Sequence, residues 1–129
     1  MALVLVIDDD RSFRDIVRLF LEGDGHEVVE AADGGEGITT ALRQPVDLIL
    51  IDLYMPGKDG LETIRELRRW CPDVPVIAMT GGWIGCETAV ILKTAGALGA
   101  ADTLVKPFGP AALSAAVRAA LAGSAAGAQ

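Results

Sequence analysis

The sequence is short of several kinds of residue, and each shortage excludes a class of protein. It has only two cysteines, Cys71 and Cys86, whose spacing fits neither a disulfide framework nor a metal motif. We interpret both as reduced thiols of a cytoplasmic protein. No apolar stretch is long enough to span a membrane, and the apolar run 3–7 is too short, and lacks the basic flank, for a signal peptide.

Positive charge is also scarce. Eleven lysines and arginines face eighteen acidic residues, which gives a net charge of -7 and a pI near 4.5. Because phosphate contacts need a basic surface, this balance argues against direct nucleic-acid binding. The 129 residues, 51% of them hydrophobic, are enough for one domain with a real core. We predict one domain over residues 1–123 and a short flexible tail of small residues over 124–129.

Apolar runs alternate along the chain with helical patterns. The central run, 46–51, has no alternation of polar and apolar residues, which is typical of a strand covered on both faces by helices. The alternation predicts an α/β fold in which a doubly wound, five-stranded parallel sheet lies between two layers of helices. The predicted strands are 3–7, 27–31, 46–51, 74–79 and 102–105, and the last two predicted helices are 84–98 and 110–122.

Four of the five predicted strands deliver a reactive side chain at their carboxyl end. Asp8 and Asp9 follow the first strand, and Asp52 follows the third. Thr80 follows the fourth strand and Lys106 the fifth. Ligands of open parallel sheets bind at this edge, so we expect these five side chains to form one site.

The chemistry of these residue types points to phosphoryl transfer. Two carboxylates about 4 Å apart repel by about 4 kcal/mol at an effective dielectric constant of roughly 20, so a cation must neutralise them. Clustered carboxylate oxygens favour a hard divalent cation such as Mg²⁺. A lysine and a threonine hydroxyl can contact phosphoryl oxygens, and Gly81 and Gly82 leave backbone amides exposed for an anion. An ionised carboxylate can act as the nucleophile without a general base.

Four segments together resemble a known family, the receiver domain of two-component response regulators, also called CheY-like. The matching segments are VIDDD at 6–10, DLYMPGKDG at 52–60, TG at 80–81 and KPF at 106–108. The resemblance covers nearly the whole chain. It implies a flavodoxin-like, three-layer α/β/α fold with strand order 2-1-3-4-5 and a cis peptide bond between Lys106 and Pro107.

The resemblance also implies a phosphorylation-activated signalling switch. Asp52 would accept a phosphoryl group, in a Mg²⁺-dependent reaction, from the phosphohistidine of a sensor histidine kinase or a histidine phosphotransfer protein. Such a protein catalyses at most its own phosphorylation and dephosphorylation and is not an enzyme in the usual sense. The implied metal ligands are Asp8, Asp9, Asp52 and the backbone carbonyl of Tyr54, and the implied phosphoryl contacts are Thr80, the Gly81 amide and Lys106.

Two departures from the family pattern concern the route from the site to a partner. Thr103 stands where the family usually has an aromatic residue that swings inward on activation, and the segment 80–106 is about one helical turn longer than usual. The helices 84–98 and 110–122 carry few charges, which predicts a downstream protein partner at the 84–122 face. The resemblance also allows a homodimer on phosphorylation, and nothing in the sequence predicts a membrane partner.

Two alternatives stay open. The acidic run 8–10 also fits a phosphatase of the haloacid dehalogenase type with Asp8 as its nucleophile, although that interpretation leaves Asp52 without a role. A degenerate receiver that acts only as a protein-binding module is the second alternative, to which Thr103 gives some support. Identification of the phosphorylated residue separates the first alternative from a signalling switch, and binding of beryllofluoride with Mg²⁺ separates the second.

Overall fold

The computed structural model describes residues 2–54, 60–81 and 86–127. Within these residues five strands alternate with five helices. The strands are β1 (Leu3–Ile7), β2 (Glu27–Ala31), β3 (Leu48–Asp52), β4 (Val76–Thr80) and β5 (Asp102–Val105). The helices are α1 (Arg11–Gly23), α2 (Gly34–Arg43), α3 (Gly60–Trp70), α4 (Cys86–Ala97) and α5 (Pro110–Gly127).

The strands form one parallel sheet in the order β2-β1-β3-β4-β5. This order and the alternation of strands with helices confirm the predicted doubly wound α/β/α fold. Every residue of β3 is buried, which explains the absence of polar alternation in its sequence. Successive side chains of a strand point to opposite faces, so the central strands supply two cores. Ile49 packs in the core beneath α2, α3 and α4, whereas Leu50 packs in the core beneath α1 and α5.

Short polar residues begin two of the helices. The carboxylate of Asp10 accepts a hydrogen bond from the Phe13 N–H (3.2 Å) at the start of α1. The carboxylate of Asp33 accepts one from the Glu36 N–H (2.8 Å) at the start of α2. Each cap satisfies a backbone donor that has no partner within its helix. The cap on α1 also fixes where the helix leaves the acidic segment after β1.

The predicted boundaries of two strands were wrong by one or two residues. The predicted strands 46–51 and 74–79 are β3 and β4, which begin two residues later and end one residue later. Pro75 has no N–H for the sheet, so β4 begins only after it. At the other end, Asp52 pairs with Met79 and Thr80 pairs with Val105. Asp52 and Thr80 are therefore the last residues of their strands, held by the sheet itself.

The last two helices also differ from the prediction. Helix α5 continues to Gly127, five residues past the predicted end and into the stretch predicted as a flexible tail, because that stretch is rich in alanine, the best helix former. The division of the chain at residue 123 stays a prediction. The predicted start of the preceding helix, at 84, lies outside the described residues. None of the helices in the described part of the chain combines the length and apolarity needed to cross a bilayer.

Candidate functional site

The carboxyl edge of the sheet brings the predicted acidic residues together. Asp8 follows β1 and Asp52 ends β3, which is the neighbouring strand. One carboxylate oxygen from each of Asp8, Asp9 and Asp52 lies within 4.8 Å of the other two. Lys106, which follows β5, reaches the same cluster through its ammonium group. Four of the five predicted side chains, those of Asp8, Asp9, Asp52 and Lys106, thus lie together at this edge.

Asp8 is the most firmly held carboxylate of the cluster. Its side chain is fully buried, and both of its oxygens have partners. Oδ1 accepts a hydrogen bond from the Asp10 N–H (2.9 Å), and Oδ2 lies 2.6 Å from the Lys106 Nζ. Its backbone N–H donates to the Ala31 carbonyl at the end of β2 (3.1 Å). Asp9, by contrast, is exposed.

Asp52 is almost as buried as Asp8 but is more loosely held. Its Oδ1 accepts one long hydrogen bond from the Tyr54 N–H (3.4 Å), and its Oδ2 lies 3.6 Å from the Lys106 Nζ. Burial raises the pKa of Asp52 from 3.8 to about 6; the charge of Lys106 opposes this shift, and that of Asp8 adds to it. At neutral pH Asp52 is mostly ionised, and it is a more basic oxygen nucleophile than an ordinary aspartate.

Lys106 is held from several directions. Its backbone N–H donates to the Thr80 carbonyl (2.7 Å), and its peptide bond to Pro107 is cis, as the resemblance implies. Its ammonium lies 3.9 Å from the ring centroid of Phe13, in addition to its two carboxylate partners. Phe13 packs edge-on against Phe108, with ring centroids 5.6 Å apart. The ring of Phe13 therefore forms one wall around the ammonium and favours its charge.

Thr80 contributes a buried hydroxyl to this edge. Its side chain is fully buried, and among the described residues its Oγ1 has no hydrogen-bond partner. A buried hydroxyl without a partner costs about 1–3 kcal/mol, so such groups call for an explanation. A ligand oxygen at the carboxyl edge would satisfy it. Gly81, whose amide the sequence predicted to contact the phosphoryl group, follows directly and is half-buried.

Two of the remaining predicted positions, Tyr54 and Thr103, lie within the described residues. Tyr54, whose backbone carbonyl was predicted as a metal ligand, lies two residues after Asp52 and is 51% exposed. Thr103 lies half-buried in β5. Residues 55–59, within the matching segment 52–60, and Gly82, predicted to offer an amide, lie outside the described residues.

Two residues near the site were not among the predicted site residues. Phe13 lies among the regularly spaced apolar residues of α1, a pattern that by itself indicates only a core position, yet its ring contacts the Lys106 ammonium. In the sequence, Arg14 is one of three arginines on the same helix. Its Nη1 donates to the Asp8 carbonyl (2.6 Å). Nothing in the sequence distinguishes Arg14 from its neighbours, because the contact depends on how α1 packs against the end of β1.

The donor set fits a hard divalent cation. Three carboxylates supply only oxygen ligands, and among the described residues the one cationic side chain that contacts them directly is Lys106. The fold and this acidic cluster define a class of protein: a doubly wound α/β domain with carboxylates grouped at the carboxyl ends of β1 and β3. Within that class the chain belongs to the response regulator receiver domain family, whose sequence profile matches residues 4–118.

Individual relatives agree with this membership. The chain is 40% identical over 121 residues to the KDP operon transcriptional regulatory protein KdpE of Escherichia coli, covering 94% of this chain and 52% of that protein. It is 37% identical over 107 residues to the transcriptional regulatory protein ResD of Bacillus subtilis, covering 83% of this chain and 42% of that protein. The chain thus spans about half the length of these curated relatives.

Solved structures show the same likeness. A response regulator receiver domain protein from Clostridium thermocellum superposes with a TM-score of 0.86 at 30% identity, over 94% of both chains. A CheY-like receiver domain protein from Methanospirillum hungatei gives a TM-score of 0.86 at 27% identity, over 96% of both chains. The chain is a receiver domain of the two-component response regulators, a signalling domain.

Proposed function

We propose that Asp52 accepts a phosphoryl group and that its phosphorylation switches the protein between two signalling states. The observation that carries the proposal is the environment of Asp52: a buried carboxylate with a pKa of about 6, 3.6 Å from the Lys106 ammonium and grouped with two further acids. Family membership supports the same role. Such a carboxylate is mostly ionised at neutral pH, and within residues 2–54, 60–81 and 86–127 it has no short hydrogen bond that would weaken it as a nucleophile.

The contacts favour Asp52 over Asp8 as the nucleophile. Both oxygens of Asp8 are engaged, by the Asp10 N–H at 2.9 Å and by the Lys106 Nζ at 2.6 Å. The contacts of Asp52 are 3.4 and 3.6 Å long. A nucleophilic oxygen needs an available lone pair, so the looser carboxylate is the better candidate. This comparison counts against the phosphatase alternative, in which Asp8 would attack the phosphorus of the substrate.

In the proposed reaction, one oxygen of Asp52 attacks the phosphorus of a phosphohistidine. The P–O bond forms as the P–N bond breaks, and the imidazole leaves with the electron pair of that bond. Lys106 supplies positive charge for a phosphoryl oxygen, and the Thr80 hydroxyl and Gly81 amide donate hydrogen bonds to the others. Asp8, Asp9, Asp52 and the Tyr54 carbonyl would hold Mg²⁺, which when bound neutralises negative charge on the phosphoryl group.

The phosphoryl donor implied by family membership is a histidine kinase or a histidine phosphotransfer protein. We expect the reaction to take place in the cytoplasm, which the sparse cysteine usage supports. The relatives KdpE and ResD are transcriptional regulatory proteins, and the chain matches only about half of each. We therefore propose that phosphorylation controls a protein contact made by the outer face, formed by α4, β5 and α5.

Phosphorylation by acetyl phosphate with Mg²⁺, followed by peptide mapping, tests the proposal. We expect one phosphoryl group on Asp52, labile to hydroxylamine as an acyl phosphate is, and none in Asp52→Asn. Asp102→Asn, a change at the exposed start of β5, is the matched control and should still be labelled. Label at Asp8 would support the phosphatase instead, and the absence of label from the unmodified protein would support a module that only binds other proteins.

A further inference from the structure

A chain of ion pairs lies behind the acidic cluster, between α1 and β2. Arg14 is nearly buried, with 14% of its side chain exposed. Its Nη1 donates to the Asp8 carbonyl (2.6 Å), and its Nε donates to Glu30 Oε1 (2.9 Å). The other oxygen of Glu30 accepts from the Arg18 Nε (2.7 Å). One guanidinium thus connects the end of β1 to β2 through a carboxylate that a second guanidinium also holds.

The carbonyl that Arg14 contacts belongs to the peptide bond between Asp8 and Asp9. A peptide group is planar, so an oxygen held in place also fixes the orientation of the plane that joins the two Cα atoms. The carboxylates of both residues project from those Cα atoms into the cluster. The Asp8 N–H is fixed separately by the Ala31 carbonyl (3.1 Å). Arg14 supplies the second constraint, on the far side of the Asp8 Cα.

Glu30 keeps Arg14 in this orientation. Burial disfavours the charge of Glu30, but hydrogen bonds from Arg18 and Arg14 outweigh burial and lower its pKa. Glu30 therefore stays a carboxylate at neutral pH. The planar guanidinium of Arg14 has donors in a fixed fork, so that a hydrogen bond from Nε to Glu30 directs Nη1 toward the Asp8 carbonyl. A single ammonium could not serve both acceptors with the same geometry.

We infer that Arg14, oriented by Glu30, is a positioning residue that presents the Asp8 and Asp9 carboxylates to the divalent cation. The inference rests on the Mg²⁺ role proposed above. Partners outside the ligand shell that orient metal ligands typically change metal affinity by about 10- to 100-fold when they are mutated. Arg14 touches neither the cation nor the phosphoryl group in this account, and it acts through the peptide group between the two ligands.

The sign of the effect separates positioning from simple charge. Loss of a positive charge beside three carboxylates would, by Coulomb's law alone, tighten binding of a divalent cation. Loss of a positioning contact would weaken it. Arg18 provides a matched control because it lies on the same helix, carries the same charge and bonds the same Glu30. Its described hydrogen bonds go to Glu30 and Glu22 and not to Asp8.

Isothermal titration with Mg²⁺ on Arg14→Met and Arg18→Met tests the inference. We expect the dissociation constant to rise about 10-fold in Arg14→Met and to change by no more than roughly twofold in Arg18→Met. In acetyl phosphate reactions, Arg14→Met should need about 10-fold more Mg²⁺ for half-maximal rate, while its rate at saturating Mg²⁺ stays near that of the unmodified protein. Arg14→Lys keeps the charge and the side-chain length, and serves if Arg14→Met does not fold; it should also bind Mg²⁺ more weakly.

Four results would overturn the inference. Equal or tighter Mg²⁺ binding by folded Arg14→Met would leave only the charge effect, and so would unchanged binding by Arg14→Lys where the methionine variant is unfolded. Equal weakening in both methionine variants would assign the effect to Glu30 or to general stability instead of to the Asp8 carbonyl. If the unmodified protein bound no Mg²⁺, the proposed metal role would fail together with the inference, whereas the other three results leave that role intact.

Discussion

The two halves of the sheet are built differently. Around β1 and β3 the charged groups have specific partners: Asp8 is held at both oxygens, and Arg14 and Glu30 each pair with two groups. The outer face of α4, β5 and α5 exposes the apolar side chains of Val90 (63%) and Val105 (39%), and the first half also exposes some, such as Leu19 (69%) in α1. Among the described residues, specific ion pairs therefore distinguish the half that would receive the phosphoryl group, whereas exposed apolar side chains occur in both halves.

Lys106 connects the two halves. It follows β5, on the outer side of the sheet, yet its ammonium lies 2.6 Å from Asp8 and 3.6 Å from Asp52. Its backbone N–H donates to the carbonyl of Thr80, the residue that ends β4. A change at Asp52 that alters its contact with Lys106 can therefore reach β5 through one side chain. This route does not need an aromatic residue at position 103.

The largest effect is expected for Lys106→Met, which breaks the link between the halves. Removal of one member of a buried ion pair typically costs about 3–5 kcal/mol, because the partner charge stays buried without compensation. We expect the free energy of unfolding in EDTA to fall by about 3 kcal/mol. Lys93→Met, at an exposed position of α4 in the outer half, is the control and should change it by less than about 0.5 kcal/mol. Urea denaturation measures both, and similar losses would refute the contrast.

The second effect concerns the pH dependence of stability and the raised pKa of Asp52. The folded pKa of about 6 exceeds the usual 3.8, so the folded state binds the proton more tightly than the unfolded state does. The stabilising contribution of protonated Asp52 is complete below about pH 4 and is lost as pH rises through about 6. Each pKa unit corresponds to about 1.4 kcal/mol, which gives a total of about 3 kcal/mol.

Asp52→Asn should remove the loss of stability that the ionisation of Asp52 causes as pH rises. In EDTA, the stability of the variant relative to the unmodified protein should increase by up to about 3 kcal/mol between roughly pH 4 and pH 7. Saturating Mg²⁺ should reduce the advantage of the variant at pH 7, because the cation neutralises the carboxylate that the variant lacks. Thermal unfolding at several pH values measures the difference. A stability difference that does not vary with pH would show that burial does not raise the pKa of Asp52.

The smallest changes in stability are expected at two glycines in helices, Gly60 and Gly96, one in each half. A Cβ at Gly60, where α3 begins, would lie 2.5 Å from the Asp52 carbonyl oxygen and 2.5 Å from the Leu53 Cα, both of them backbone atoms. We expect Gly60→Ala to destabilise the protein by about 2 kcal/mol, as overpacking does. A Cβ at Gly96 in α4 meets nothing within 4 Å. Gly96→Ala should therefore stabilise by about 0.5–1 kcal/mol. Opposite signs in urea denaturation are the expected outcome, and a Gly60→Ala variant as stable as the unmodified protein would contradict it.

The sequence predicted the fold because its periodicities are strong. Apolar runs separated by helical patterns specify a parallel α/β sheet, and the strand order 2-1-3-4-5, which the family resemblance implies, was confirmed. The meeting of Asp8, Asp52 and Lys106 at one edge followed from that topology alone. The roles assigned to these residues stay proposals, because topology places side chains without showing what they bind.

Other features could not be predicted from the sequence for physical reasons. The carboxyl ends of β3 and β4 depend on which backbone groups pair with the neighbouring strand, and no local sequence pattern records this pairing. The continuation of α5 into the stretch predicted as a flexible tail reflects alanine propensity without an amphipathic pattern. The contacts of Arg14 and Phe13 arise from helix packing, since both residues are typical of an amphipathic helix when only the sequence is considered.

The central claim is that Asp52 receives the phosphoryl group in a site completed by a divalent cation, and beryllofluoride with Mg²⁺ tests it most directly. Heteronuclear NMR spectra of the unmodified protein should change at Gly81, Thr80 and Lys106 when both reagents are present and not with either alone. The amide of Thr103 should also shift if Lys106 carries the change into β5. Asp52→Asn should show none of the combined effect. A spectrum of the unmodified protein that the two reagents leave unchanged, or an Asp52→Asn spectrum that changes in the same way, would contradict the claim.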